Sequence, residues 1–198
     1  DKEYVEEIGR VVKIVGLTIE ATGPKSNLND VCKIFSADQS QTKLAEVVGF
    51  RENRIILMPY DNMTGVGIGS YVQNVGTSFQ VPVGEELLGK TLDGLGNPID
   101  GTELNTVRYY PAENEPPDPL ERKIIDEALP LGVKAVDSLL TVGKGQRIGI
   151  FAGSGVGKST LMGMFARNTK AEVNVISLIG ERGREVREFI ERDLGEEG

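Results

Sequence analysis

Residues 146–160 read QRIGIFAGSGVGKST, and this stretch decides the fold. The segment 146–151 predicts a buried strand, a loop with three glycines follows it, and residues 159–167 have the pattern of a helix. A second apolar run, EVNVISLI at 172–179, predicts the next buried strand, and residues 185–194 predict an amphipathic helix. Strand, loop, helix and strand form a βαβ unit, whose two strands we expect to be parallel with a right-handed crossover.

The glycine-rich loop matches the P-loop pattern G-x-x-x-x-G-K-[ST], with alanine at the first position. Its glycines let the backbone curl so that N–H groups bind phosphate oxygens, and the following helix adds its positive N-terminal end. A chance glycine-rich turn is the alternative, but the flanking strand and helix disfavour it. We expect Lys158 to reach the β- and γ-phosphates, the Ser159 hydroxyl to coordinate Mg²⁺, and Thr160 to lie near the α-phosphate. The predicted ATP site comprises Ala152, Gly153, Ser154, Gly155, Val156, Gly157, Lys158, Ser159 and Thr160.

Charged residues follow the second predicted strand, in the sequence Gly180-Glu181-Arg182. The carboxyl end of a parallel strand beside a phosphate loop lies in the crevice where α/β sheets bind ligands. Glu181 could therefore polarise the water that attacks the γ-phosphate, and Arg182 could stabilise charge there or orient Glu181. The alternative is the solvated start of a mixed-charge helix, which is the interpretation we favour for residues 184, 185, 187 and 188.

The first part of the chain has a different pattern. Short runs of β-branched and apolar residues, separated by glycines and polar turns, continue to about residue 83 without a helical period or an internal repeat. Such strands at close spacing predict a small β-barrel. Turn signals and four prolines between 111 and 119 predict a stiff surface connector. We therefore predict an all-β barrel domain at 1–83, a connection at 84–120, and a truncated α/β ATPase domain at 121–198.

Composition limits the function classes. The net charge of −8 argues against a general nucleic-acid surface, although single nucleotides can still bind through backbone N–H groups. The absence of histidine excludes Ser-His-Asp and Cys-His mechanisms and histidine-based metal sites. The single cysteine, Cys32, is expected to be a small core residue and fits a reducing cytosol. No run is long enough to span a bilayer and no signal-peptide pattern opens this sequence, while the initial Asp1 suggests that an N-terminal piece is missing.

Residues 131–160 and 179–198 resemble the flagellar and type III secretion export ATPases, which are homologues of the catalytic subunit of rotary ATP synthases. The segments that carry the resemblance are GQRIGIFAGSGVGKS and GERGREVREFIE, and it continues through LLGKTLDGLGNPIDG and, more weakly, GLTIEATGP to cover nearly the whole chain. It implies a β-barrel followed by a RecA-like P-loop domain, and a homohexamer with ATP sites between subunits. By position, Glu181 matches the catalytic glutamate of the family's GER motif and Arg182 its neighbour.

The resemblance also implies a function: hydrolysis of ATP with Mg²⁺, energising type III export of flagellar proteins across the cytoplasmic membrane. The implied location is the cytoplasm, peripheral to the inner face of that membrane. The implied partners are further copies of the chain, export-gate, stalk and regulator proteins, export chaperone–substrate complexes and a peripheral contact with the membrane complex, without nucleic acid.

Three alternatives stay open. The virulence type III secretion ATPases share most of these segments, and overall similarity favours the flagellar branch. A non-catalytic subunit of a rotary ATPase typically has a Gln-Thr-Gly-Lys loop and no equivalent of Glu181, so this sequence resembles the catalytic side. An RNA-translocating hexamer would need a basic barrel with exposed stacking aromatics, whereas this one is rich in acidic residues.

Other parts of the family's active site are not found in this sequence. They are the Walker B aspartate that helps to hold Mg²⁺, the adenine pocket and the arginine finger. We therefore predict that this piece alone neither hydrolyses ATP at a useful rate nor forms a stable hexamer.

Overall fold

A computed structural model describes residues 7–105, 108–153 and 155–195. The chain divides into two compact units, Asp1–Pro116 and Pro117–Gly198. Within the described ranges, no helix has both the length and the apolar character needed to cross a membrane.

The first unit contains a closed antiparallel barrel of six strands. Around the barrel the order is β1, β2, β5, β4, β3 and β6, and pairing of Ile8 in β1 with Gln73 in β6 closes it. The sequence prediction of a small N-terminal barrel is therefore confirmed. The strands are β1 Ile8–Val15, β2 Thr18–Thr22, β3 Asp30–Phe35, β4 Thr42–Arg51, β5 Arg54–Pro59 and β6 Tyr71–Ser78.

Side chains alternate between inward and outward positions along the strands, and the inward ones fill the barrel interior. In β5, for example, Ile55 and Leu57 point inward and are buried, while Met58 is exposed. Cys32 is buried in the same core, as predicted, and burial raises the pKa of its thiol to about 11. Full burial of one large aliphatic side chain contributes about 1.5–3 kcal/mol, so this cluster supplies the main stabilising term of the unit. The core consists of Val11, Ile19, Ala21, Cys32, Ile34, Ala45, Val47, Ile55, Leu57 and Val72.

The rest of the first unit is a short ladder and a turn-rich segment. Strands β7 Gln80–Val83 and β8 Arg108–Pro111 pair antiparallel, and a 3₁₀ turn covers Glu85–Leu87. The Asp93 carboxylate accepts backbone N–H groups at 2.8–2.9 Å within the turn that follows it. Residues 112–119 are exposed and contain no helix or strand, in agreement with their proline content.

The second unit contains α1 Lys134–Leu139, α2 Lys158–Asn168 and α3 Gly183–Glu188, and α3 continues into a π-helical turn at Phe189–Leu194. The predicted helix at 159–167 is thus confirmed as α2. The predicted helix at 185–194 is present as α3 and the π-helical turn, whose Phe189 is buried. Helix α2 packs against this turn.

The prediction of two buried strands in the second unit was wrong. Residues 146–151 and 172–179 form no ladder in the described part of the chain, and their side chains are largely solvent-exposed, with Phe151 98% and Val175 92% exposed. A strand needs a neighbour that pairs with its N–H and C=O groups and covers its apolar faces. The described residues of this unit supply neither, so the apolar runs form no strand there.

Candidate phosphate-binding site

The loop between Gly153 and Lys158 has the backbone that its glycines predict. Gly155 has φ of 75° and Gly157 has φ of 94°, both in the left-handed region that side chains with a Cβ disfavour. A Cβ at either position would meet no atom within 4 Å, so conformation and not crowding explains the glycines. When the left-handed and right-handed conformations alternate along a loop, successive N–H groups turn toward one side of it.

Gly157 is also the N-cap residue of α2. Having no side chain, it cannot cap the free N–H groups of the first helical turn, as serine or aspartate would. The first turn of α2 contains no acidic residue either. The positive end of an eleven-residue helix is therefore left for an external anion.

The predicted phosphate ligands occupy this helix start. Lys158 is the first residue of α2, and Ser159 and Thr160 follow in its exposed first turn. Ala152 and Gly153 are exposed residues that precede the loop, and Val156 is 68% exposed. Ser154, the remaining predicted ligand, lies outside the described residues.

Lys158 and Glu181 come together. The Lys158 ammonium lies 3.8 Å from a carboxylate oxygen of Glu181, and the side chains are 45% and 32% exposed. A helix and the second apolar run separate the two residues in the sequence, so this proximity is a product of the fold. The fold thus places the lysine that is predicted to bind phosphate beside the carboxylate that is predicted to polarise water.

Arg182 has a different position. It is the exposed N-cap residue of α3, and its carbonyl accepts the Val186 N–H at 3.0 Å. Among the described residues, its guanidinium makes no hydrogen bond or ion pair. Its predicted contribution to charge stabilisation therefore stays a prediction.

Two residues that the sequence analysis passed over support the site. The Asp137 carboxylate accepts the N–H groups of Leu131 and Gly132, both at 2.9 Å, and so fixes the turn to which the end of α2 bonds. Gly163 lies buried inside α2. A glycine in the middle of a helical pattern is the signal that could have identified it.

The donor set suits Mg²⁺ only together with phosphate oxygens. Among the described residues, no group of three or more His, Cys, Asp or Glu side chains could hold a metal ion. The Ser159 hydroxyl is a hard oxygen donor in the exposed first turn of α2, and Mg²⁺ typically combines a few protein oxygens with substrate phosphates. The residues present thus fit a magnesium–nucleotide complex and not a protein-only metal cage.

Comparison with known proteins matches both units. The model of the ATP synthase alpha/beta family beta-barrel domain matches residues 11–76, and the model of the same family's nucleotide-binding domain matches residues 132–198. The two matches together cover more than half of the chain.

Curated relatives extend over almost the entire chain. The flagellum-specific ATP synthase of Bacillus subtilis (strain 168) is 54% identical over 192 residues, which are 96% of this chain and 44% of that protein. The type 3 secretion system ATPase of Xanthomonas euvesicatoria is 48% identical over 191 residues, covering 96% of this chain and 43% of that protein. The chain thus spans less than half the length of these relatives.

A solved structure agrees with them. The assembled ATPase EscN from the enteropathogenic E. coli type III secretion system superposes with a TM-score of 0.81 at 42% identity, covering 92% of this chain and 44% of that one. The structure of EscN in complex with its central stalk EscO gives a TM-score of 0.77 at 43% identity, with the same coverage of both chains. With its barrel, its glycine-capped helix and these matches, the chain belongs to the ATP synthase alpha/beta family, alongside the flagellum-specific ATP synthases and type 3 secretion ATPases.

Proposed function

We propose that the whole protein hydrolyses ATP with Mg²⁺ to energise type III export of flagellar proteins across the cytoplasmic membrane. One observation carries the catalytic part: Glu181 lies 3.8 Å from the ammonium of Lys158, the first residue of the glycine-capped helix. A lysine that binds the γ-phosphate then holds Glu181 so that about one water molecule fits between its carboxylate and the phosphorus atom. A catalytic carboxylate must lie at such a distance to act on the attacking water.

In this proposal, the loop Ala152 to Gly157 and the first turn of α2 bind the triphosphate through backbone N–H groups. Lys158 neutralises charge on the β- and γ-phosphates, Ser159 holds Mg²⁺, and Thr160 lies near the α-phosphate. Bound there, the metal ion neutralises charge that develops on the phosphate oxygens.

Glu181 accepts a hydrogen bond from the attacking water and orients it in line with the bond to be broken. The water oxygen bonds to the γ-phosphorus and gives one proton to the Glu181 carboxylate, while the bond to the bridging oxygen breaks and ADP leaves with that electron pair; Glu181 then returns the proton to solvent. Arg182 stabilises the equatorial oxygens or orients Glu181.

The flagellar branch is supported by the 54% identity to the flagellum-specific ATP synthase of Bacillus subtilis, and the virulence branch is the second candidate because the Xanthomonas euvesicatoria secretion ATPase is 48% identical. A chromosomal Lys158→Ala variant tests the choice. Loss of filament export and motility supports the flagellar assignment, whereas normal motility with loss of another secreted protein set supports the virulence assignment.

Assembly and location belong to the same proposal. The assembled EscN and its complex with a stalk protein support a homohexamer with a stalk partner for the whole protein. We further propose contacts with export-gate and regulator proteins and with chaperone–substrate complexes, at the cytoplasmic face of the membrane. The 198-residue chain alone is expected to show no useful turnover, and steady-state hydrolysis by it that Lys158→Ala abolishes would contradict this.

Phosphate release by the whole protein tests the catalytic roles. Lys158→Ala should weaken ATP binding, whereas Glu181→Gln should retain binding and lower turnover by roughly 10²–10⁴-fold. Lys170→Ala, two residues beyond the end of α2, removes an exposed lysine in the same unit and serves as the control. Wild-type turnover in Glu181→Gln would refute the catalytic role of this carboxylate.

A further inference from the structure

Gly163 marks a backbone contact between two helical segments. A methyl group at this position would lie 2.5 Å from the carbonyl oxygen of Asp193 and 2.9 Å from its carbonyl carbon. Both residues are buried, Asp193 being 5% exposed. Because real side-chain carbons do not approach a carbonyl so closely, only glycine allows α2 to lie this near to the π-helical turn.

The opposing backbone belongs to a turn whose Phe189 and Asp193 are buried. The Asp193 carboxylate binds the Arg192 guanidinium through two contacts, at 3.2 and 3.4 Å, and Phe189 of the same turn is buried. π-helical turns are rare and occur frequently at functional sites. A methyl group on α2 would therefore have to displace the backbone of this turn and not the far end of a flexible side chain.

This contact belongs to the two segments that carry the predicted catalytic pair. Lys158 begins the helix that contains Gly163, and Glu181 lies just before α3, which continues into the π-helical turn. The Arg182 carbonyl accepts the Val186 N–H at 3.0 Å, which couples the residue after Glu181 to the first turn of α3. The packing of α2 on the turn thus links the helix that Lys158 begins to the segment that follows Glu181.

We propose that Gly163 is a positioning residue, an inference that rests on the proposed ATPase function. Gly163 acts through the π-helical turn to hold Glu181 at catalytic distance from Lys158. An ordinary carbon–oxygen contact is longer than 2.5 Å by roughly 1 Å, so Gly163→Ala moves the turn, and α3 with it, by about that amount. A misplacement of about 1 Å can lower a rate by roughly 10²-fold. Because the three nearest atoms to the added methyl group all belong to Asp193 and none to the phosphate loop, we expect that loop to keep its geometry.

The test uses phosphate release and ATP titration on the whole protein. Gly163→Ala should lower kcat by roughly 10–100-fold while the Kd for ATP changes by less than about threefold. Gly94→Ala is the control, since a Cβ there meets no atom within 4 Å. Unchanged kcat in Gly163→Ala, or an equal loss of kcat and of ATP binding, would overturn the positioning role.

A double-mutant cycle separates positioning from simple damage. If Gly163 acts through Glu181, Gly163→Ala should lower the residual rate of Glu181→Gln by less than about twofold, because the affected group is already gone. A protein that is merely less folded loses the same factor in both backgrounds, and that result would contradict the inference.

A second variant covers the case in which Gly163→Ala does not fold. Phe189→Leu shrinks the buried face of the π-helical turn without adding an atom to α2, and it should also lower kcat more than ATP affinity. Equal losses of kcat and of ATP affinity in Phe189→Leu would refute the inference. If the wild-type protein shows no turnover, the proposed function and this inference are refuted together. If the wild type turns over ATP and the Gly163→Ala and Phe189→Leu variants keep its kcat, the inference alone is refuted.

Discussion

Replacing Glu181 with glutamine removes the negative charge 3.8 Å from the Lys158 ammonium and leaves a side chain of almost the same shape. The carboxylate and a bound triphosphate compete for the same cation, and the carboxylate also repels the phosphates. Glu181→Gln should therefore strengthen ATP binding even though it removes catalysis.

The size of this effect follows from distance and exposure. Two unit charges 3.8 Å apart attract by about 1 kcal/mol in a dielectric close to that of water. The side chains are 45% and 32% exposed, so solvent screening and lost side-chain entropy bring the expected gain to about 0.2–1 kcal/mol. This free energy corresponds to roughly 1.5–5-fold tighter binding.

A titration with a fluorescent ATP analogue measures the difference. Glu185→Gln is the matched control, since it removes the same charge from the first turn of α3. The gain in Glu181→Gln should shrink at about 1 M salt, where the Debye length is only about 3 Å. Weaker binding by Glu181→Gln at low salt, or an equal gain in Glu185→Gln, would refute the reasoning.

Further predictions concern stability. Leu57→Ala in the barrel core should lower the free energy of unfolding by about 2–5 kcal/mol in urea titrations, whereas Leu17→Ala, at a residue 81% exposed, should change it by less than about 0.5 kcal/mol. The folded pKa of the Cys32 thiol, about 11, lies above its ordinary value of 9.0, so the unfolded chain loses this proton first. As the pH rises from 9.0 to about 11, the free energy of unfolding of the wild type should therefore fall by up to about 3 kcal/mol relative to that of Cys32→Ala. Below pH 9.0 we expect no such difference. Asp137→Ala removes the acceptor of two backbone N–H groups and should cost about 1–3 kcal/mol, and an unchanged thermal midpoint would contradict this.

The barrel could be predicted from the sequence because its information is local. Short alternating strands such as Arg54–Pro59, bounded by polar turns, specify one buried and one exposed face without any distant partner. The helix α2 could be predicted for the same reason.

The second unit shows where such local reasoning fails. The runs at 146–151 and 172–179 have the composition of buried parallel strands, yet a strand also needs neighbours, and composition does not say whether they are present. The contact of Lys158 with Glu181, and that of Gly163 with Asp193, likewise join residues that no spacing rule connects. Both depend on how α2 packs, which is decided by tertiary structure.

The closure of the barrel by β1 and β6 has a consequence for protein engineering. Antiparallel pairing brings the point where the chain enters the barrel, at Ile8, opposite Gln73, five residues before β6 ends at Ser78. Segments whose two ends lie close together are tolerant of transplantation and circular permutation. Barrels from relatives should therefore be interchangeable as cassettes joined at these two points, with no rerouting of the polypeptide that follows.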